Sequence, residues 1–348
     1  MKKFLIAVLV LLSVMFLITR FTEMREIGKI LQAGDWRFIF LGGLLELLWL
    51  LNVNLGYFKI YQALEIPETK KRLFLITNAA TFVNTMTPSG GFSGLAIFLN
   101  EAKKNDHPTG KVTVACIIYL ILDYVGLLFV AFLSLIVLFR RDHIQWMEIV
   151  AFVLLFLLVA VLAAALFLAT KSPDKFSKVT NYIVTKSNNL SNKIIHIQVF
   201  SPIKAEEFVT EIVEGVSVMQ TNPAMLKSPL LLTFSGKIIL ILVLLMVFYA
   251  FNVPVSAGTI IAGFGLCSLF VIISPTPSGI GIVEGVLTLA LKSLGLTLEA
   301  ATIVTLGYRA LTFWLPLLIG VISFQILNRV DKKPLSKIQP GSKTFSSD

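Results

Sequence analysis

Twice along this chain an apolar run is interrupted by the same four residues, Thr87-Pro88-Ser89-Gly90 and Thr276-Pro277-Ser278-Gly279. Proline and glycine inside a hydrophobic stretch end one helix and begin another, so neither run can form a single straight helix. The first interruption continues as Gly91-Phe92-Ser93-Gly94. The second continues as Ile280-Gly281-Ile282-Val283-Glu284-Gly285, inside an apolar run that covers 254–294. One such break is an ordinary turn. Two of them, each flanked by similar apolar spans, point to an internal repeat whose broken helices meet at a site.

The surrounding runs are too many and too long for a water-soluble core. The 348 residues are 56% hydrophobic and 14% charged, whereas a soluble domain carries about 25% charged residues. The expected fold class is therefore all-α, a polytopic membrane protein. The net charge of +10 is spread through short loops between apolar spans. That pattern fits membrane topology and anionic lipid headgroups, and it does not fit nucleic acid. Cys116 and Cys267 lie in apolar spans and read as packed small hydrophobes. His107, His143 and His196 are scattered in polar loops without ligand spacing, so no metal site and no cofactor are expected. A Gly-x-x-x-x-Gly-Lys-Ser/Thr phosphate loop is likewise absent from the sequence.

In chain order, Lys2-Lys3 and the apolar residues 4–19 resemble a signal peptide, but Ile18-Thr19-Arg20 offers no small-x-small cleavage site. An uncleaved first span is expected. Further full spans are expected over 38–57, 112–139, 149–170, 230–251 and 298–327, making about six in all. The segments beside the first break, 73–86 and 91–99, are too short to cross a hydrocarbon core that needs about 20 residues. Residues 171–227 are polar. They carry Phe176, Val179 and Ile183, then Phe208, Ile212, Val216 and Met219, at helical spacing. Two amphipathic helices lying on the membrane surface are expected there. Residues 329–348 form a basic tail expected to be disordered.

Each broken run is either a full crossing or a re-entrant hairpin that returns to the side it left. With hairpins and a cytoplasmic N-terminus, Lys and Arg stand in a three-to-one excess inside; with crossings the split is close to even. The positive-inside rule selects the hairpins. Two units of opposite orientation follow, about 38–139 and about 230–327, joined by the cytoplasmic insert 171–227 within a transmembrane domain covering 1–328. This is an inverted repeat of the kind secondary transporters use, with both termini in the cytoplasm.

Four charges besides Glu284 fall within apolar spans: Glu46 and Lys237 before the breaks, Asp123 and Arg309 after them. Bare charge at bilayer depth costs about 3 kcal/mol or more, so these side chains should face the interior and be paired or wetted. The members of each equivalent pair have opposite signs, which makes pairing across the repeats plausible. They serve either assembly alone or a charge network that gates a polar path. The breaks themselves fit an anion: Thr87, Pro88, Ser89, Gly90 and Gly91, with Thr276, Pro277, Ser278, Gly279 and Gly281, would expose backbone N–H groups at the positive ends of half-helices. Arg309 would grip a phosphate headgroup with two hydrogen bonds. Glu284 is then either a proton-carrying gate or a fixed partner for Arg309. The spacings Gly90-x-x-x-Gly94 and Gly281-x-x-x-Gly285 also suit close helix packing.

Pro277-Ser278-Gly279-Ile280-Gly281-Ile282-Val283-Glu284-Gly285, with the following Gly307-Tyr308-Arg309, Phe313-Trp314-x-Pro316 and Gly320, resembles the signature of the flippase-like transmembrane region of lysyl-phosphatidylglycerol synthases. The first block is weaker, with Gly94-Leu95 where that family continues to a glutamate. In the neighbourhood where the family commonly has a basic residue, this chain has Asp123. The resemblance implies a prokaryotic cytoplasmic-membrane protein that moves aminoacyl-phosphatidylglycerol, polyprenyl-linked or other lipids between leaflets. It assigns the acid to Glu284 and the arginine to Arg309. No soluble lysine-transferring domain is expected after the last span, so lysyltransferase activity is not. Membrane lipids are the expected partners, with a homo-oligomer or a cell-envelope enzyme as possible protein partners. Two other classes stay open: a membrane component of lipid headgroup modification, for which Ser278 beside Glu284 is the candidate nucleophile, and a non-catalytic partner of a cell-envelope synthase.

Overall fold

A computed structural model describes residues 28, 30–87, 89–171 and 202–330, and every regular element within them is helical. In chain order these are α1 (Trp36–Ala63), α2 (Lys70–Met86), α3 (Leu95–Lys104), α4 (Thr109–Arg140), α5 (Trp146–Lys171), α6 (Pro202–Thr221), α7 (Lys227–Ala250), α8 (Ala257–Ile273), α9 (Ile282–Ser293), α10 (Leu298–Arg309) and α11 (Leu315–Val330). Five stretches are long and apolar enough to cross a bilayer: Trp36–Ala63, Thr109–Arg140, Trp146–Ala169, Pro223–Ala250 and Leu298–Arg329. They account for five of the expected six spans. The remaining one, 4–19, lies outside the described residues, as do Pro88, the first amphipathic stripe at Phe176, Val179 and Ile183, and nearly all of the tail.

The side-chain distribution is that of a protein solvated by lipid. Phe40, Leu44, Leu48, Leu51 and Leu55 project outward along α1, and Phe129, Phe132 and Ile136 along α4. Glu46, Ser134, Lys237, Thr305 and Arg309 are buried. Apolar atoms outside and charge inside invert the pattern that water selects and match what hydrocarbon selects. The chain is a multi-pass membrane protein.

Each broken run folds back on itself. Thr69 caps α2 by accepting the Arg72 N–H, and the Arg72 guanidinium reaches Glu101 near the end of α3, Nη2 to Oε2 3.0 Å. Lys104 joins the same carboxylate at 2.8 Å. The outer ends of the first broken run therefore lie side by side. In the second, Ala262 and Leu266 of α8 pack with Ala290 and Leu294 at the end of α9, and Gly263 faces Leu287 and Leu291.

Helices α1 and α7 share the most extensive interface and run antiparallel. The Asp35 N–H at the start of α1 donates to the Ala250 carbonyl at the end of α7, 2.8 Å. Around this pair the contacts are exchanged: α2 packs on α11, and α8 on α4. Both crossings are tight. A Cβ on Gly320 would lie 2.7 Å from the Asn78 carbonyl oxygen, and one on Gly265 would collide with Ser134. The Ser134 hydroxyl bonds the Ile261 carbonyl across that interface at 2.7 Å.

Two features differ from the sequence expectation. The stripe at Ile212, Val216 and Met219 on α6 is buried in the protein, in one cluster with Leu64, Val112 and Val114, and is not laid on a membrane surface. Glu211 fixes it there by accepting the Gly110 N–H at the start of α4, 2.5 Å. An apolar stripe of helical period serves a protein groove as well as a bilayer, and periodicity alone cannot choose between them. The expected last span is also not one regular helix. A π turn over Ala310–Trp314 separates α10 from α11. Pro316 lacks the N–H that a regular helix would donate to the Thr312 carbonyl, and the wider turn sits just before it.

Candidate functional site

The second break is a compact, charge-held turn. Helix α8 stops at Ser274, whose hydroxyl meets Thr276 Oγ1 at 2.9 Å, while Thr276 Oγ1 donates to the Ile280 carbonyl at 3.0 Å. A short 3-10 turn spans Pro277–Gly279. Ser278 sits at φ 47 and Gly279 at φ 71, both in the left-handed region, which a serine occupies only when its surroundings hold it there. The holder is Arg309, whose Nη2 donates to the Ser278 carbonyl at 3.1 Å.

Arg309 also donates from Nε to Glu284 Oε1 at 2.7 Å, and its guanidinium lies 4.9 Å from the centroid of the Phe313 ring. The other oxygen of Glu284 accepts the Gly281 N–H at 2.6 Å, at the start of α9. This carboxylate thus sits where a bound anion would sit, on a helix N-terminus and against a buried guanidinium. The hydroxyl of Ser278 makes no hydrogen bond to Glu284 among those described. A Cβ on Gly281 or Gly285 would meet nothing within 4 Å among the described residues, so no described helix packs on this glycine pair.

The first break is held by uncharged groups. Asn84 Oδ1 accepts the Gly94 N–H at 2.5 Å and the Ser93 hydroxyl at 2.9 Å. The Ser93 N–H donates to Ser89 Oγ at 3.1 Å, and Thr87 Oγ1 donates to the Val83 carbonyl at 2.8 Å. Tyr124 bonds the carbonyl of Gly90, and Gly90 and Gly91 take φ 56 and 92.

Both breaks open onto one recess made of two adjoining cavities. The cavity at the first break, about 260 Å³, is lined by Thr87, Ser89, Gly90 and Gly91 and also by Thr276 and Ser278. The second, about 240 Å³, is lined by Glu46, Asp123, Lys237 and Arg309, again with Ser278. Trp49, Thr81, Thr85 and Asp123 line both. The expected charges therefore converge. Lys237 pairs with Asp123 across the molecule, Nζ to Oδ1 2.7 Å, while Arg309 takes Glu284. Glu46 has no exposed surface, and among the described residues neither of its carboxylate oxygens has a hydrogen-bond partner. Pro277, Gly279, Gly281 and Glu284 shape the turn without lining either cavity.

Sequence reasoning missed Asn84, Ser93, Tyr124 and the threonine row Thr77, Thr81, Thr85. The row was visible in principle: hydroxyl residues four apart inside an apolar segment share one helix face.

The family model described as lysylphosphatidylglycerol synthase TM region matches residues 4–320. The UPF0104 membrane protein MJ1595 of Methanocaldococcus jannaschii is 26% identical over 344 residues, which cover 94% of this chain and 96% of that relative. No solved structure matches the chain.

Proposed function

The chain belongs to the lysylphosphatidylglycerol synthase transmembrane family, and from that membership together with the recess we propose that it is a translocase moving a phosphate-bearing lipid between leaflets. Membership fits a membrane component of lipid modification or transport. The observation that carries the finer statement is the occupant of the anion slot. The Glu284 carboxylate, on the α9 N-terminus and on Arg309, stands in for a phosphate that would make the same two kinds of contact. A phosphate arriving in the recess competes with Glu284 for Arg309, bonds it through two oxygens, and frees the carboxylate to swing away. Site and gate are then one exchange of anions.

The fold supports this role. The two broken runs are hairpins with arms of 17 and 10 and of 17 and 12 residues. At 1.5 Å per residue the longer arms reach only about 26 Å, short of the roughly 30 Å hydrocarbon core. They are read as re-entrant, entering from opposite faces of the cytoplasmic membrane. The antiparallel α1 and α7, with the exchanged packing of α2 on α11 and α8 on α4, fit an inverted repeat of 38–139 and 230–327. Both termini are assigned to the cytoplasm.

The test is lipid movement in proteoliposomes holding the purified chain, followed by chemical quenching of fluorescent lipid in the outer leaflet. Labelled phosphatidylglycerol should cross, and labelled diacylglycerol should gain nothing over protein-free vesicles. Arg309→Gln should slow the phospholipid at least tenfold. Equal quenching with and without protein would sink the proposal.

A further inference from the structure

In and beside the second cavity the described residues bring together three carboxylates, Glu46, Asp123 and Glu284, and two cations, Lys237 and Arg309. Lys237 is taken by Asp123 and Arg309 by Glu284, each at 2.7 Å. Glu46 remains, with no exposed surface and with both oxygens unpartnered among the described residues. Buried carboxylates in folded proteins are hydrogen-bonded, and each exception needs a reason. Removing one solvation shell without supplying another is costly anywhere, and more so at bilayer depth. A glutamate serving only as packing would be replaced without loss by an uncharged side chain of its size.

Part of the wall near Glu46 offers only acceptors. Thr81, Thr85 and Thr312 line the same cavity as Glu46. Each spends its only hydroxyl proton on a backbone carbonyl one turn back: Thr81 on Thr77 at 2.9 Å, Thr85 on Thr81 at 2.8 Å, Thr312 on Tyr308 at 3.0 Å. Those hydroxyls can offer the cavity lone pairs only. Acceptor lone pairs beside an unmatched carboxylate suit a small cation; the Glu46 oxygens themselves have no accessible surface, so the ion would reach them without its waters from a cavity of about 240 Å³.

We propose that Glu46 binds a monovalent cation, a proton or a sodium ion, whose passage is coupled to lipid movement through the recess. The titratable and charged groups around the cavity are Asp123 of α4, Lys237 of α7, Cys267 of α8, and Tyr308 and Arg309 of α10; α2 contributes only the threonines. Glu46 is the one carboxylate among them without a cation. Deprotonated and empty, it competes with Asp123 for Lys237 and with Glu284 for Arg309. Filled, it leaves those pairs closed. Cation occupancy and release of Arg309 to a phosphate are thereby linked. The coupling step rests on the translocase reading; cation binding does not.

The test separates the two. Purified full-length chain in detergent is titrated with sodium chloride against choline chloride by calorimetry, and its infrared spectrum is recorded across pH, for wild type, Glu46→Gln and Glu46→Leu. Size-exclusion profile and melting temperature establish that the variants fold. Sodium as the ion predicts saturable heat that falls at least tenfold in affinity in both variants. The proton predicts no sodium heat and a carbonyl band of a neutral carboxylic acid that both variants lose. Neither signal in folded protein, or signals unchanged by both substitutions, overturns the proposal. In proteoliposomes, lipid movement by wild type should then accelerate several-fold under a gradient of the ion identified, and Glu46→Gln should ignore the gradient. If wild type moves no lipid, the translocase reading fails while the cation site stands.

Discussion

At the second break a guanidinium and a carboxylate hold the turn, whereas hydroxyls and an amide hold the first. The need is the same in both places: the short helix after the break starts with an N–H that lacks an intrahelical partner. Gly281 gives its N–H to Glu284. Gly94 gives its N–H to Asn84, reaching back to the preceding arm. Leu95 stands where Glu284 stands in the other copy, counting from the shared Thr-Pro-Ser-Gly. The missing glutamate of the first block therefore leaves no orphan donor, because an amide from the other arm has taken over the cap. A neutral cap lies in a local hydroxyl network and has no reason to exchange. A charged cap on a buried guanidinium can be exchanged for any other anion of suitable shape. On the proposed exchange of anions, the two turns would divide into a fixed wall and a replaceable one.

The largest effect that would break this comparison comes from Arg309→Ala. It strands the Glu284 carboxylate, whose side chain is only 23% exposed, and removes the donor that holds Ser278 in its left-handed conformation. Losing one partner of a buried pair costs about 3–5 kcal/mol, read as thermal unfolding in detergent. Adding Glu284→Gln to the same chain should restore most of that stability without restoring lipid movement. A single variant as stable as wild type would mean that charge does not hold the second break.

The next effect compares the two copies at one matched position. Gly279 and Gly90 both have positive φ, 71 and 56, so alanine at either pays about 1–2 kcal/mol of backbone strain. At 279 the new methyl would also overlap Val283, whereas at 90 its nearest neighbour is the Ile272 carbonyl oxygen at 3.5 Å. Overpacking adds about 1–3 kcal/mol at Gly279 alone. Equal melting-temperature losses for Gly279→Ala and Gly90→Ala would show that the second turn is no more tightly packed than the first.

Much of this was legible before any coordinates. The helices, the two breaks and the inward placement of Glu46, Asp123, Lys237 and Arg309 follow from apolar run length, from proline and glycine, and from the cost of charge in hydrocarbon. Partner choice does not follow. Lys237 pairs with Asp123 and not with its repeat counterpart Glu46, because the rotation of each helix about its axis decides which side chains meet. Sequence spacing leaves that rotation free. Asn84 was invisible for a different reason: a neutral amide in an apolar segment carries no large desolvation penalty that would demand a partner. The docking of α6 escaped because an amphipathic stripe records only that something apolar covers it.

Asn84→Ala sharpens the comparison from the neutral side. It removes the acceptor for the Gly94 N–H and for the Ser93 hydroxyl, and a stranded buried donor costs about 1–3 kcal/mol. Lipid movement should survive once the variant is assayed below its lowered melting temperature. Loss of movement in folded protein would mean that the first break also binds the substrate.

The smallest effects belong to the matched serines, Ser89→Ala and then Ser278→Ala. Ser89 Oγ accepts the Ser93 N–H and lies 2.8 Å from Ser93 Oγ, but Ser93 keeps its bond to Asn84, so the network loses one strut and stays closed. A neutral hydrogen bond of this kind contributes about 0.5–1.5 kcal/mol, a shift of a few degrees in the melting curve. Its matched substitution, Ser278→Ala, should cost still less, because Arg309 grips the backbone carbonyl there and the serine hydroxyl is not part of that grip. If Ser278→Ala proved the more damaging of the two for lipid movement while leaving the melting curve in place, the hydroxyl itself would be touching the headgroup. The replaceable wall would then extend from the arginine to the turn it holds.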